Sequence, residues 1–160
     1  MDPITQGVAG NAIWNALAAV VRAVRPHKIK IISPRPQEML GGREPLGGGF
    51  SYAIRGTLKK LPKGHEIWVL TRDDSTGYVW PQGFSPVQYD PVEGTWTGRV
   101  NGSGKAEVRI IAVVAPPTSQ DYFRYFQELG RLRDYNFKPL PCVPAECLNL
   151  DSVQAKIPKS

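Results

Sequence analysis

Apolar and polar residues alternate along most of the chain between residues 28 and 116, which is the pattern of half-buried β-strands. Turn residues interrupt the alternation in LPKGH, DDSTG and NGSGK. The segments that read as strands are KIKIISPRP, FSYAIRGTL, EIWVLTR, YVWPQ, FSPVQYDPV, EGTWTGRV and AEVRIIAVVAP. A glycine-rich stretch, MLGGREPLGGG, separates the first two and predicts a loop.

The composition of individual segments predicts where they lie in the sheets. AEVRIIAVVAP is the longest and most apolar segment, so we expect it at a central position. FSPVQYDPV contains Pro86 and Pro91, which cannot donate to a strand ladder, so we expect an edge strand. About seven short strands with no helix between them predict a mainly β fold, an antiparallel β-sandwich over residues 28–118.

Residues 2–25 have a helical period instead. Asp2 and Pro3 form a typical helix start, and Pro26 ends the segment. One side carries an apolar stripe, made of Ile13, Trp14, Leu17, Val20, Val21 and Val24. The opposite side carries Asn11, Asn15, Ala18, Arg22 and Arg25. The pattern therefore predicts an N-terminal amphipathic helix within a first unit of residues 1–27.

The third unit, residues 119–160, predicts a second helix and a proline-rich tail. Thr118 or Ser119 is the expected cap of the helix. The expected buried stripe consists of Tyr122, Phe126, Leu129 and Leu132, widened by Phe123 and Tyr125. KPLPCVPAEC follows as a loop, and LNLDSVQAKI alternates again, which is typical of one further strand.

Charge and cysteine content narrow the classes of function only slightly. The net charge of +6 is spread along the chain, with no run of five or more like charges, so a nucleic-acid footprint is not indicated. Cys142 and Cys147 lack the spacing of a zinc or redox motif, which leaves unpaired thiols or a local disulfide open. The first residues lack the basic region of a secretory signal, so we expect a cytoplasmic protein.

No catalytic or metal-binding motif is recognised in the sequence. NGSGK lacks the residues that a phosphate-binding loop requires, and neither HExxH nor G-x-S-x-G occurs. We therefore expect no enzyme activity, no metal and no cofactor.

Three tryptophans lie in predicted strands, at positions 68, 80 and 96. Both faces of EIWVLTR are partly apolar, which indicates a central strand or one covered by a helix. The tryptophans are therefore expected in the core or against a covering helix. The alternative is an aromatic platform for a carbohydrate, nucleotide or nucleic acid, and its site residues would be Trp80, Tyr78, Arg72 and Gln82.

The region from ISPRP through VRIIAVVAP resembles bacterial Ig-like β-sandwich modules. The residues that carry the resemblance are Ser33 and Pro34 at the end of the first strand, IRGTL, EIWVL, the GTW of Gly94 to Trp96, and the closing apolar strand. The resemblance implies an Ig-like fold and a binding or spacing role, and it covers neither predicted helix.

Three functions are open at this point. The first is a non-catalytic interaction or assembly module, such as a small subunit of a bacterial signalling or defence assembly, that binds itself or another protein through the N-terminal helix or edge strands. The second is the ligand-binding sandwich. The third is a peripheral membrane protein held by residues 2–25. The stripe of that helix could pack on its own sandwich, on a partner or on a membrane surface.

Overall fold

The computed structural model describes residues 28–46, 49–82, 87–102, 106–134 and 139–158. These residues form nine β-strands and one α-helix. The strands are β1 (Lys30–Ser33), β2 (Glu44–Leu46), β3 (Gly49–Thr57), β4 (Glu66–Arg72), β5 (Val79–Gln82), β6 (Gln88–Asp90), β7 (Thr95–Asn101), β8 (Glu107–Ala115) and β9 (Asn149–Lys156). The helix α1 (Pro117–Leu132) lies between β8 and β9 in the chain. The predicted N-terminal helix lies outside the described residues.

The strands form two antiparallel sheets, which confirms the mainly β fold. The first sheet has the order β1-β3-β7-β6, with β2 added to β3, and the second has the order β5-β4-β8-β9. One core contains side chains of both sheets, among them Tyr52, Ile54 and Trp96 from the first and Ile67, Val69 and Ile110 from the second. Two sheets that share a core are compatible with a β-sandwich.

The positions predicted for individual strands are confirmed. β8 lies between β4 and β9, where its apolar side chains are buried on both faces. β6 is an edge strand of three residues. β4 is also buried on both faces: Ile67 and Val69 point into the core between the sheets, and Trp68 lies under α1, where its ring centroid is 5.1 Å from that of Phe123.

The glycine-rich stretch contains a short strand that its composition did not predict. Glu44–Leu46 pairs with the start of β3. Arg99 of β7 holds this stretch, because its guanidinium donates to the Gly42 carbonyl at 2.8 Å and pairs with Glu44 at 3.2 Å. A contact between residues more than fifty positions apart cannot be read from local composition.

The strand proposed for the tail is present as β9. It pairs with β8 from Glu107↔Lys156 to Val114↔Asn149, so the second sheet includes residues beyond the predicted boundary at residue 118. Its free edge is covered by the segment that follows β1, where the Gln37 amide donates to the Gln154 carbonyl at 2.8 Å.

The start of α1 differs from the prediction. Pro116 is the N-cap and Pro117 is the first helical residue, so neither Thr118 nor Ser119 caps the helix. Proline is favoured at that position because it lacks the amide hydrogen that would have no partner there. Gln120 instead fixes the first turn, because its side-chain amide donates to the carbonyls of Gly64 at 2.8 Å and Ala115 at 2.9 Å.

Candidate functional site

The helix α1 has one face that packs on the second sheet and an adjoining apolar face, of which Phe126 alone is recorded as packing against the cluster beneath the helix. Its fully buried positions are Ser119, Gln120, Phe123 and Gly130. Ser119 and Gln120 precede Phe123 by four and three positions, and Gly130 follows it by seven, so the four residues lie on one face. Small side chains at 119 and 130 let the helix approach the sheet closely, and Phe123 supplies the large apolar contact with Trp68.

The second face contains five of the six residues of the predicted stripe, and three of these five are exposed, whereas the sixth, Phe123, is buried as predicted. We call it the aromatic face, and it consists of Tyr122, Tyr125, Phe126, Leu129 and Leu132. Tyr122 is 43% exposed, Tyr125 61% and Leu132 68%, whereas Phe126 and Leu129 are partly buried. The face that meets the sheet is centred on Phe123 and its small neighbours, so the part of the stripe farther round the helix stays exposed.

The aromatic face has ordered contacts of its own. The ring of Phe126 lies 5.0 Å from that of Tyr122 and 5.9 Å from that of Tyr125, both in edge-to-face geometry. Such pairs hold the rings in fixed positions and add to the apolar contact area. The third side of the helix is charged and carries Asp121, Arg124, Glu128 and Arg131.

Two further apolar side chains, one in β9 and one just before it, are exposed. Leu148 is 88% exposed and Leu150 is 38% exposed. Leu150 stands opposite Val113 in the β8–β9 pairing, and Val113 belongs to the core cluster that α1 covers. The sequence pattern did not predict either leucine to be a contact residue. The alternation of LNLDSVQAKI indicated a strand but not which of its faces would be left uncovered.

The proposed ligand residues are divided between two pockets. A pocket of about 260 Å³ lies at one end of the second sheet, and Trp80 and Arg72 line it. Gln82 lines a different cleft, of about 390 Å³, and Tyr78 lines neither. The aromatic ligand site therefore stays a prediction.

Gln82 has a role in connecting the two sheets. Its amide nitrogen donates to Thr71 Oγ1 at 2.9 Å, and its amide oxygen accepts from the Asn101 backbone at 2.9 Å. Thr71 belongs to β4 of the second sheet and Asn101 to β7 of the first. Both ends of this amide are thus engaged within the protein.

The smaller pocket contains an ion-pair cluster. Arg72 stands directly opposite Arg109 across the β4–β8 pairing, and Asp74 approaches both guanidinium groups, at 3.8 Å from Arg72 and 2.8 Å from Arg109. The hydrogen bond from Arg109 lowers the pKa of Asp74 below its usual range. The stabilising effect is therefore present above the usual Asp pKa of about 3.9 and is lost as the pH falls, and it is small because the groups are solvated.

The larger cleft lies beside the start of β4, between α1 and β6. Trp68 donates to one oxygen of Glu66 at 3.1 Å, and Arg124 of α1 pairs with the other at 2.5 Å. These contacts attach the charged side of the helix to the sheet, so the aromatic face points away from this cleft.

Both cysteines are free thiols, in opposite environments. Cys142 is exposed, and Cys147 is buried in the cluster beneath α1, where burial raises the pKa of its thiol. We expect a thiol reagent to modify one equivalent at Cys142 in the native protein and Cys147 only after unfolding, as measured by intact mass. Equal labelling rates of the two thiols would contradict this assignment, and the variant Cys142→Ser is the control.

Among the described residues no helix is long and apolar enough to cross a membrane, and no group of three or more potential ligands is placed to hold a metal ion. The stripe of Ile13, Trp14, Leu17, Val20, Val21 and Val24 lies outside the described residues.

Comparison with known proteins gives no family for this chain. No family model matches its sequence, and no curated protein matches it.

Proposed function

We propose that this protein is a non-catalytic interaction module that binds an amphipathic helix, with an aliphatic stripe, on the aromatic face of α1. The observation that supports this proposal is the second apolar face of the helix, which the packing on the sheet leaves exposed. Contiguous exposed apolar side chains on a soluble domain mark a contact surface for another protein element. Tyrosines are well suited to such surfaces because they combine a large apolar area with few rotatable bonds.

At β1 and β5 the sheet edges favour helix docking over strand addition. The amides of Ile29 and Ile31 on the outer edge of β1 donate to the side chains of Asn149 and Asp151, at 2.9 and 2.8 Å. On β5, Val79 exchanges both backbone hydrogen bonds with Leu140. Backbone groups that already have partners offer little to an added strand.

An Ig-like strand arrangement is part of the proposal. With the first sheet taken as strands A, B, E and D and the second as C′, C, F and G, both orders agree with those of Ig sandwiches. The helix α1 then lies in the connection between F and G, where variable Ig domains carry one of their binding loops. This agreement supports a binding role for the layer that contains α1.

The proposal is tested by titrating the chain that begins at Lys28 with a synthetic peptide of residues 1–27, which serves as the amphipathic helix. All described strands, α1 and both core clusters lie within residues 28–158, so this chain contains every residue of the described core. Calorimetry should give a micromolar dissociation constant. The pair Tyr125→Glu and Leu132→Glu should weaken binding at least about tenfold, because it places charges on the contact surface.

The matched control is Glu128→Gln, on the charged side of the same helix. It should bind the peptide as tightly as the unaltered chain. A peptide with Leu17→Asp and Val21→Asp should not bind. If that peptide binds equally well, or if the substitutions on the aromatic face have no effect, helix docking at this face is wrong.

A further inference from the structure

We infer that one end of the protein, where β1 begins and β3 ends, docks on the surface of an anionic phospholipid membrane. We call this surface the basic end. Its cations are Lys28, Lys30, Arg55, Lys59, Lys60 and Lys63, and its exposed apolar side chains are Val92 and Leu148. It shares no residue with the aromatic face of α1, so the inference goes beyond the proposed function and is tested separately from it.

The fold gathers cations that the sequence distributes between positions 28 and 63. Lys30 stands opposite Thr57 in the antiparallel pairing of β1 with β3. Extending this register by two residues brings Lys28 and Lys59 to neighbouring positions, and both side chains are exposed. Arg55 lies two residues before Thr57, which places it on the same outer face of the sheet as Lys30. Positive charge is therefore concentrated at this end of the first sheet.

The charge of the basic end is not neutralised within the fold. Among the described residues, none of its six cations has a carboxylate within ion-pair distance. The first sheet brings two carboxylates to this end, Asp90 and Glu93, and Asp90 Oδ1 accepts from the amides of Val92 and Glu93 at 2.8 and 3.1 Å. The carboxylates near the starts of β4, α1 and β9 have partners within the protein, namely Glu66, Asp121, Glu146 and Asp151. The excess positive charge is thus open to an external anion.

Two aliphatic side chains at this end project into solvent. Val92, in the turn between β6 and β7, and Leu148, just before β9, are each 88% exposed. No other large apolar side chain in the described part of the chain is as exposed. Apolar side chains that enter the boundary between headgroups and acyl chains bind a protein to a bilayer surface, and nearby cations strengthen that binding when the lipids are anionic.

The turn that carries Val92 lies against the end of β3. The Leu58 amide donates to the Gly94 carbonyl at 2.8 Å. A β-carbon at Gly94 would lie only 3.4 Å from the Lys59 Cα. Val92 is therefore next to the cations that follow β3.

Leu148 lies beside the cations on the other side of the same end. The Ile29 amide donates to Asn149 Oδ1 at 2.9 Å, so the start of β1 is attached to the start of β9. Lys28 precedes Ile29 in the chain, and Leu148 precedes Asn149. The two exposed aliphatic side chains therefore flank the cations, in the order Leu148, Lys28, Lys59 and Val92.

This combination favours a membrane over a nucleic acid. Each lysine held near an anionic leaflet adds to the attraction, and the aliphatic side chains on both sides can enter the headgroup region. Surfaces that bind single-stranded nucleic acids carry aromatic rings on which bases stack. Residues 28–33, 55–64, 91–94 and 145–149, which form this end, contain no aromatic ring.

The test is flotation of the full-length chain with vesicles of phosphatidylcholine, with and without about 30% phosphatidylserine. The variant Lys59→Glu with Lys60→Glu reverses two charges of the basic end. The matched control is Arg35→Glu with Lys156→Glu, which makes the same change in net charge at the opposite end, beyond β1 and at the end of β9. All four side chains are exposed, so denaturation midpoints should stay close to that of the unaltered chain.

The unaltered chain should float with the anionic vesicles and stay behind with the neutral ones. Charge reversal at positions 59 and 60 should lower the partition coefficient at least about tenfold, and the control should lower it less than about threefold. Added salt should weaken the binding of the unaltered chain, because the charges at the basic end are exposed and are screened.

A second measurement reports whether Val92 enters the bilayer. In the Cys142→Ser background, which removes the exposed native thiol, Val92→Cys carries an environment-sensitive fluorophore. Its emission should shift to the blue and gain intensity on anionic vesicles. Met39→Cys is the control, because Met39 is an exposed apolar residue beside Lys156 at the opposite end, and a fluorophore there should not respond.

Three results would overturn the inference. Flotation that survives the reversal at positions 59 and 60, or that is equal on neutral vesicles, assigns attachment to another part of the chain. A fluorophore at position 92 that does not respond while the chain is bound shows that this end does not enter the bilayer. If the chain does not float, the membrane inference is wrong, and duplex DNA that binds the unaltered chain but not the 59 and 60 variant identifies a nucleic acid as the partner instead. The peptide titration on the aromatic face is independent of all three results.

Discussion

Gly56→Ala is expected to lower the free energy of unfolding by about 3 kcal/mol, a large part of the 5–15 kcal/mol that typically stabilises a domain. Gly56 of β3 stands directly opposite Trp96 of β7, whose indole is almost completely buried between the sheets. A β-carbon at residue 56 would overlap both this indole and the backbone carbonyl oxygen of Lys30. The carbonyl belongs to β1, so it cannot move without disturbing the pairing of β1 with β3.

Chemical denaturation followed by tryptophan fluorescence measures this effect. Gly41→Ala is the matched control, because a β-carbon there would meet no atom within 4 Å. The control should unfold at nearly the same denaturant concentration as the unaltered protein. If Gly56→Ala is as stable as Gly41→Ala, the close contact between Trp96 and the β3 backbone is not a feature of the folded protein.

Phe123→Ala is expected to cost about 3–5 kcal/mol, the usual range for removing a fully buried phenylalanine ring. Phe123 has no exposed surface, and it connects α1 to Trp68, Val113 and the rest of the second core cluster. The loss of stability should be uneven across the protein, because the core between the sheets does not contain Phe123. We therefore expect α1 and residues 139–148 to loosen before the sheets separate.

Hydrogen exchange of the α1 amides measures the local loss of stability, and denaturation measures the global loss. Glu128→Ala lies on the same helix and removes only a surface ion pair with Arg131, so it should change stability by less than about 0.5 kcal/mol. Exchange that accelerates equally in α1 and in β8 would indicate a single cooperative unit and contradict the separate layer.

The substitution of Phe123 and the substitutions of Tyr125 and Leu132 concern different faces of α1. Phe123 attaches α1 to the sheet, and its removal tests the layer itself. Tyr125 and Leu132 point outward, and their substitution tests what the layer binds. A variant that loses binding while its stability is unchanged is therefore evidence for a contact surface and not for a damaged fold.

The sequence was informative about strands because alternation is a local property. β4 and β8 are apolar on both faces, and this pattern alone indicated central positions or a covering helix. The prolines around β6 likewise indicated an edge strand, because proline removes a donor wherever it occurs. Such inferences hold regardless of which strands become neighbours.

The buried face of α1 could not be chosen from the sequence in the same way. Apolar residues occur around more than half of the helix, and the larger stripe was the natural choice for the core. The position of the helix instead follows from its attachment after Pro116 and from the contacts of Gln120 and Phe123. The apolar surface that this contact leaves exposed is the observation on which the proposed second contact rests.

The sequence by itself determined most strands of a mainly β protein, the central position of β8, the edge position of β6, and a helix between the last two strands, because each depends on the spacing and chemistry of nearby residues. Only the tertiary structure decided that Gln82 joins the sheets, that Arg72 and Arg109 share Asp74, and that the aromatic face and Leu150 are left exposed. These features depend on the register between strands and on the direction from which α1 approaches the sheet. Both are set by contacts between residues distant in the chain, which no local pattern records.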